Sequence, residues 1–170
     1  MTQRILAEQI ATVATSHTPV PTDVRAMLHR VTLDAFGLML AARQTDYIEA
    51  LKASCLDQGT ATAFGHGSGF TVQDATLING TAVHGEDFDD TFEGTPVHVS
   101  SVIVPTMLAI AERENISRDR LINAMAQGSE LICRLALVAP TAIHRQGFHP
   151  TAILGAFGAS LTASIAYQLT

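Results

Sequence analysis

Two histidines and five carboxylates crowd into Asn79–Ser101, the run NGTAVHGEDFDDTFEGTPVHVSS. Glu86, Asp87, Asp89, Asp90 and Glu93 would repel one another on a plain helix face, so they are either solvated or put to use. Like charges in a shared, partly desolvated site raise one another's pKa, which makes a carboxyl group a working acid near neutrality. A second histidine-bearing stretch, TAIHRQGFHP at 141–150, adds His144, Arg145 and His149.

Four readings of the cluster compete. The plainest is a solvated acidic helix end. A metal site is the second, since His84, Asp87, Asp89, Asp90 and His98 are all possible ligands. Counted from Asp87, however, the sixth position of a calcium loop is Phe92 rather than Gly and the twelfth is His98 rather than Glu. HExxH and CxxC are absent too, so no specific metal pattern is assigned. A haloacid-dehalogenase-type phosphatase is the third reading, because Asp87-Phe88-Asp89-Asp90-Thr91 matches DxDxT. That chemistry needs its first Asp at the end of a strand in a parallel sheet, and neither the preceding His84-Gly85-Glu86 nor the rest of the chain supplies a βαβ alternation. The fourth is acid–base chemistry on a small carboxylic acid, in which a proton beside a carboxylate is removed and hydroxide or carbon dioxide leaves. Asp87, His98, His149 and Arg145 are of the right types for it.

The elements that must position these groups read as helices. Gln3–Ser16 carries a helical period in Ile5, Leu6, Ile10, Val13 and Ala14. Thr22 is the expected N-cap of a helix whose stripe is Val24, Met27, Leu28, Val31, Ala35, Leu38, Met39 and Ala42. A third helix is expected from Asp46 to Asp57, stopping at Gly59, before the Thr- and Gly-rich TATAFGHGSGF, which has strand or loop character. Thr71 and Asp74 form a capping-box variant, and the helix they open is expected to run through the acidic cluster, with Gly80, His84, Asp87 and Thr91 on one face. Ser100 or Ser101 is expected to cap an apolar helix with Pro105 near its first turn. Ser117 caps another, with Leu121, Met125, Gly128, Ile132 and Leu135 as its stripe. From Thr151 the chain carries no charge, yet small residues at Ala152, Gly155, Ala159, Thr162 and Ala166 suit close helix packing better than a membrane span. The sum over residues 1–170 is one all-α domain.

Composition narrows the partners. A net charge of −6 and a single lysine, Lys52, argue against nucleic acid. Hydrophobic residues make up 47% and charged ones 15%, so part of this surface is expected to be covered by another chain or segment. Cys55 and Cys133 lie in apolar helical patterns and read as reduced core thiols. The first seventeen residues lack the long apolar core of a secretory signal, so a cytoplasmic location is expected.

The string Asn79-Gly80-Thr81-Ala82-Val83-His84-Gly85-Glu86-Asp87-Phe88-Asp89-Asp90-Thr91, followed by Val97-His98-Val99-Ser100, resembles the signature of the MmgE/PrpD family. Gly147-Phe148-His149-Pro150-Thr151, running into Leu154-Gly155-Ala156-Phe157-Gly158, is similar to that family's other marked segment, and Gly128-Ser129-Glu130 with Arg134 to the helix between them. The resemblance covers essentially the whole chain. It implies a truncated helical domain of a lyase of dehydratase type, acting on a small di- or tricarboxylic acid with no cofactor and no obligatory metal. Epimerisation and decarboxylation are the family's alternatives, and a non-catalytic helical module that needs a partner chain is the alternative outside it. Carried over by position, the resemblance implies Asp87, His98 and His149 as proton-transfer or orienting groups. Thr91, Arg145 and His84 are the candidate substrate-binding residues, His84 by orienting Asp87. Asp89 and Asp90 hold Asp87 or cap the helix end in this reading. Val99 stands where the family commonly has Pro, and the loop 92–97 departs from the dehydratase and decarboxylase pattern. The family's catalytic lysines come from later segments, and Lys52 matches none of them. The chain is therefore expected to be the N-terminal part of an enzyme, working as a homodimer or with the remainder of the site.

Overall fold

The computed structural model describes residues 5–14 and 19–169. Helices dominate: α1 (Leu6–Ala14), α2 (Thr22–Ala42), α3 (Asp46–Ser54), then a hairpin of β1 (Ala61–Ala63) and β2 (Gly67–Phe70), then α4 (Val72–His84), α5 (Ser100–Arg113), α6 (Arg118–Val138), the single turn α7 (Ala142–Arg145) and α8 (Pro150–Ala166). This is the all-helical architecture that the sequence leads one to expect, with one small antiparallel ribbon added.

Several boundaries move for identifiable reasons. The expected ends of the first helix, Gln3 and Ser16, lie outside the described residues, and its apolar positions Ile5, Leu6 and Val13 stay more than 60% exposed. Thr22 is the first residue of α2 rather than its cap. Pro21 holds the backbone extended at the cap position, at φ −56° and ψ 152°, with its carbonyl accepting the Arg25 N–H at 3.0 Å. Of the long α2 stripe only Leu28, Ala35, Met39 and Ala42 are buried, while Met27 remains 54% exposed. α3 stops at Ser54, because Gly59 serves the hairpin instead: its N–H donates to Gly69 O at 3.1 Å and its Cα packs on Phe70 too closely for a side chain.

The hairpin is pinned to α4 by Asn79, which is buried. Its Oδ1 accepts the Phe64 N–H at 2.8 Å and its Nδ2 donates to Thr62 O at 3.0 Å. Two partly buried backbone groups that strand pairing leaves over are satisfied this way. Helix α4 opens as expected, with Thr71 Oγ1 accepting the Asp74 N–H at 3.1 Å and donating to Asp74 Oδ2 at 2.7 Å.

It ends earlier than expected. His84 is its last residue, Gly85 caps it, and Asp87 takes φ +58°, so the chain reverses before the carboxylates. A helix C-terminus carries partial negative charge, which disfavours continuing it through five acidic side chains. The expected common face of Gly80, His84, Asp87 and Thr91 therefore does not form.

Asp90 then takes over the capping role expected of Ser100 or Ser101: its Oδ1 accepts the Ser100 N–H at 2.9 Å, from ten residues upstream. Because α5 begins at Ser100, Pro105 lies inside it and leaves Ser101 O without its helical donor. Gly80 of α4 fits against that carbonyl, and a Cβ there would sit 3.2 Å from it. Helices α6 and α8 cross antiparallel through Gly128, Gly158 and Thr162, whose hydroxyl lies 3.4 Å from Ala124 O. Ser117 caps α6 as expected. Among the described residues α6 is the helix long and apolar enough to cross a membrane, but it packs on α2, α5 and α8. The core gathers Met39, Ile48, Ile78, Val83, Ile103, Val104 and Ile132.

Candidate active site

Three helix ends meet at the histidines. His84 closes α4, His98 lies two residues ahead of α5, and His149 occupies the cap position of α8. The α5 and α8 ends are tied together where the chain is buried: the His98 N–H donates to Thr151 Oγ1 at 3.0 Å. Thr151 follows Pro150, whose ring starts α8 without losing a helical bond.

Between them lies Asp89, whose side chain is fully buried. His84 Nδ1 is 3.0 Å from Asp89 Oδ1 and 3.2 Å from Oδ2. His98 Nδ1 is 3.1 Å from Asp89 Oδ1, but off the line of the ring N–H, so the contact is electrostatic rather than a formed hydrogen bond. On its other edge His98 Nε2 faces Asp87 Oδ1 at 3.5 Å. His84 Nε2 and His149 Nε2 are 2.7 Å apart. One line of contacts thus runs Asp87, His98, Asp89, His84, His149.

The crowd of carboxylates is thereby shared out. Asp89 faces imidazoles, Asp90 caps α5, and Glu86 Oε1 accepts the Tyr47 hydroxyl at 2.9 Å. Burial, with Glu86 adding to it, pushes the Tyr47 phenol up. Asp87 stays 78% exposed, held over His98 by its left-handed backbone, a conformation uncommon outside glycine and often found at functional sites.

Of the candidates read from the sequence, the structure brings together His84, Asp87, His98 and His149. Thr91 is exposed on the loop, and no hydrogen bond or ion pair joins it or Arg145 to the cluster. His84 pairs with Asp89 rather than with Asp87. Asp89 and Thr151 are the residues whose part the sequence understated. The DxD string marked Asp89, but nothing local says that it turns inward. Donor atoms of His84, Asp87, Asp89 and His98 lie within 4.8 Å of one another, each imidazole of the set facing a carboxylate. An open groove of about 850 Å³ leads to His84 and His149 between α4, α5 and α8, walled by small and apolar residues such as Gly80, Val102, Pro105 and Gly155, with no Lys or Arg on its lining.

Burial of its ring lowers the His149 pKa, and the neighbouring imidazoles of His84 and His98 lower it further, with His144 adding a little and Asp87 opposing. His66, in the hairpin turn, is also lowered, by burial first and then by Lys52. Both imidazoles are neutral in the fold near neutrality, whereas unfolded histidine titrates near 6.5. Between the lowered folded values and 6.5 the unfolded chain binds more protons, so stability is complete above about pH 6.5 and falls as the pH drops. Denaturant midpoints measured from pH 8 to 5 are expected to decline on the acid side, and less steeply in a His66→Asn/His149→Asn variant; equal slopes would contradict this origin. Cys133 is pushed up to about 11 by burial and by Glu130 and Asp90, and Cys55 is raised too, so neither thiol is a nucleophile at neutral pH.

A model of the MmgE/PrpD N-terminal domain matches residues 4–170. The chain belongs to the MmgE/PrpD family. Cis-aconitate decarboxylase of Homo sapiens is 34% identical over 95 residues, a match that spans 53% of this chain and 20% of that protein's length. In MmgE/PrpD terms the chain thus presents an N-terminal helical domain, with His84, His98 and His149 gathered at the mouth of a groove.

Proposed function

We propose that this MmgE/PrpD domain supplies the histidine side of a lyase site acting on a small di- or tricarboxylic acid. The observation that carries the reading is the set of three imidazoles from three helix ends, strung on one buried carboxylate. A base for a carbon-bound proton must be neutral at working pH, and His149 is held neutral there. His149 takes the proton from the carbon beside a substrate carboxylate. The electron pair left on that carbon expels a hydroxide from the neighbouring carbon, which takes up a proton as it leaves; in the decarboxylating variant no proton is abstracted, the pair is released as carbon dioxide departs, and the carbon is protonated in its place. His98, with Asp87 on its outer nitrogen, is placed to donate to the leaving group or to a substrate carboxylate. Helices α5 and α8 begin beside the site, and their partial positive charge suits an anionic substrate.

The cluster and groove hold no Lys or Arg, so further countercharge has to come from another segment or chain. Association is supported by the exposed apolar side chains, among them Leu33 at 73%, Leu56 at 91% and Val138 at 81%. We read the partner as a second copy or as the remainder of the enzyme.

The relation to cis-aconitate decarboxylase makes decarboxylation the first reaction to assay, with dehydration of 2-methylcitrate and epimerisation of iminodisuccinate beside it. The test is to complete the chain with the lysine-bearing segments of a family member and follow loss of each acid. Turnover of one of them is expected; binding and turnover of none would leave the helical module without a catalytic role.

A further inference from the structure

The ring centroids of His84 and His149 are 5.0 Å apart and their planes differ by 18°. With the Nε2 atoms 2.7 Å apart, 5.0 Å is about the largest centroid separation that two imidazoles can reach. The rings therefore meet edge to edge, nitrogen to nitrogen in line, and not face to face. Two lone pairs or two N–H groups cannot face each other at that distance, so one proton lies between them.

Asp89 decides where the other proton of His84 sits. A buried carboxylate only accepts, and both its oxygens lie within 3.2 Å of His84 Nδ1, so Nδ1 carries a hydrogen. His84 Nε2 is then free to receive the proton it shares with His149.

We propose that His84 and Asp89 are positioning residues that make His149 part of a proton relay: when His149 Nδ1 takes up a proton, the proton between the facing Nε2 atoms passes to His84, and buried Asp89 balances the charge. One N–H bond forms at His149 Nδ1, one breaks at His149 Nε2 and one forms at His84 Nε2, so His149 is neutral before and after. The proposal rests on the reading of His149 as the base only for its role in turnover; the relay itself is a property of the fold. The groups facing His149 are His84 from α4, His98 and Asp87 from the loop that follows, and His144 from α7.

Long-range proton–nitrogen NMR on the full 170-residue chain tests it. His84 is expected to be protonated at Nδ1 from pH 8 to pH 6. His149 is expected to change from the Nε2–H to the Nδ1–H tautomer in the same step in which His84 Nε2 gains its proton. Asp89→Asn keeps the size and an accepting oxygen but removes the charge, so that step moves to lower pH by about one unit or more. His84→Gln abolishes the shared step and leaves His149 titrating alone, which keeps the test open if Asp89→Asn fails to fold. His84 found with its proton on Nε2 only, or separate midpoints for the two histidines that Asp89→Asn leaves in place, would overturn the relay. In the completed enzyme Asp89→Asn should cut kcat about 10-fold or more and displace the acid limb of its pH profile; a fall in kcat with an unmoved profile would mean a structural role only. If the coupled step is seen by NMR while the completed wild type turns over none of the acids, the lyase reading falls and the relay stands.

Discussion

Valine in place of Gly128 is expected to unfold the domain at ordinary temperature. Any Cβ at this position would overlap Thr162 Oγ1 and lie 2.9 Å from Gly158 O and 3.0 Å from Ile103 Cδ1. A side-chain hydroxyl can rotate away, but the Gly158 carbonyl belongs to the backbone of α8 and moves only if the whole crossing opens. Gly158 in turn leaves no room of its own, since a Cβ there would run into the Ile132 side chain and lie 3.1 Å from Gly128 O. Opening the crossing uncovers Ile132 and Leu154, both buried. Overpacking typically costs about 1–3 kcal/mol and more where, as here, backbone has to move, against a domain stability on the order of 5–15 kcal/mol. The effect reaches the site, because α8 carries His149 at its first turn. Thermal melts followed by circular dichroism should show Gly128→Val without a cooperative transition and Gly128→Ala well below wild type. Thr162→Ala should partly rescue Gly128→Ala by removing the hydroxyl; strict additivity of the two changes would argue against contact at this crossing.

Loss of the His98 imidazole is expected to lower kcat of the completed enzyme by about 10²–10⁴-fold, the usual scale for a lost proton-transfer group. His98 is nine-tenths buried, with Asp89 on one nitrogen and Asp87 on the other. His98→Ala deletes this link while leaving the backbone bond to Thr151, which needs only the N–H. The fold should therefore persist, with the melting temperature lowered by a few degrees and KM changed less than kcat. An unchanged kcat would remove His98 from the mechanism, and loss of the cooperative melt would make it a core residue.

The elements of this domain were legible where short-range chemistry decides them. Thr71 with Asp74 and Ser117 with Arg120 cap the helices they precede, and Met125, Gly128 and Ile132 recur with the helical period along the buried face of α6. The small residues after Thr151 announced close packing, and Gly155, Gly158 and Thr162 provide it. Boundaries were less legible, because a competing local group wins each one. Pro21 displaced the cap of α2, Gly85 and Asp87 cut α4 short, and Asp90 reached forward to the start of α5.

By itself the sequence determined the helical class, the family and the histidines and aspartates from which a site is built, since these depend on residue type, period and order. Tertiary structure alone decided the roles. Asp89 and Asp87 are two residues apart and chemically identical, yet one is fully buried between imidazoles and the other is 78% exposed. The reversal at Asp87 separates them, and the α6–α8 crossing brings His149 to His84 across 65 positions of chain. No local pattern encodes a contact of that range; it exists only because three helix ends are packed against one another.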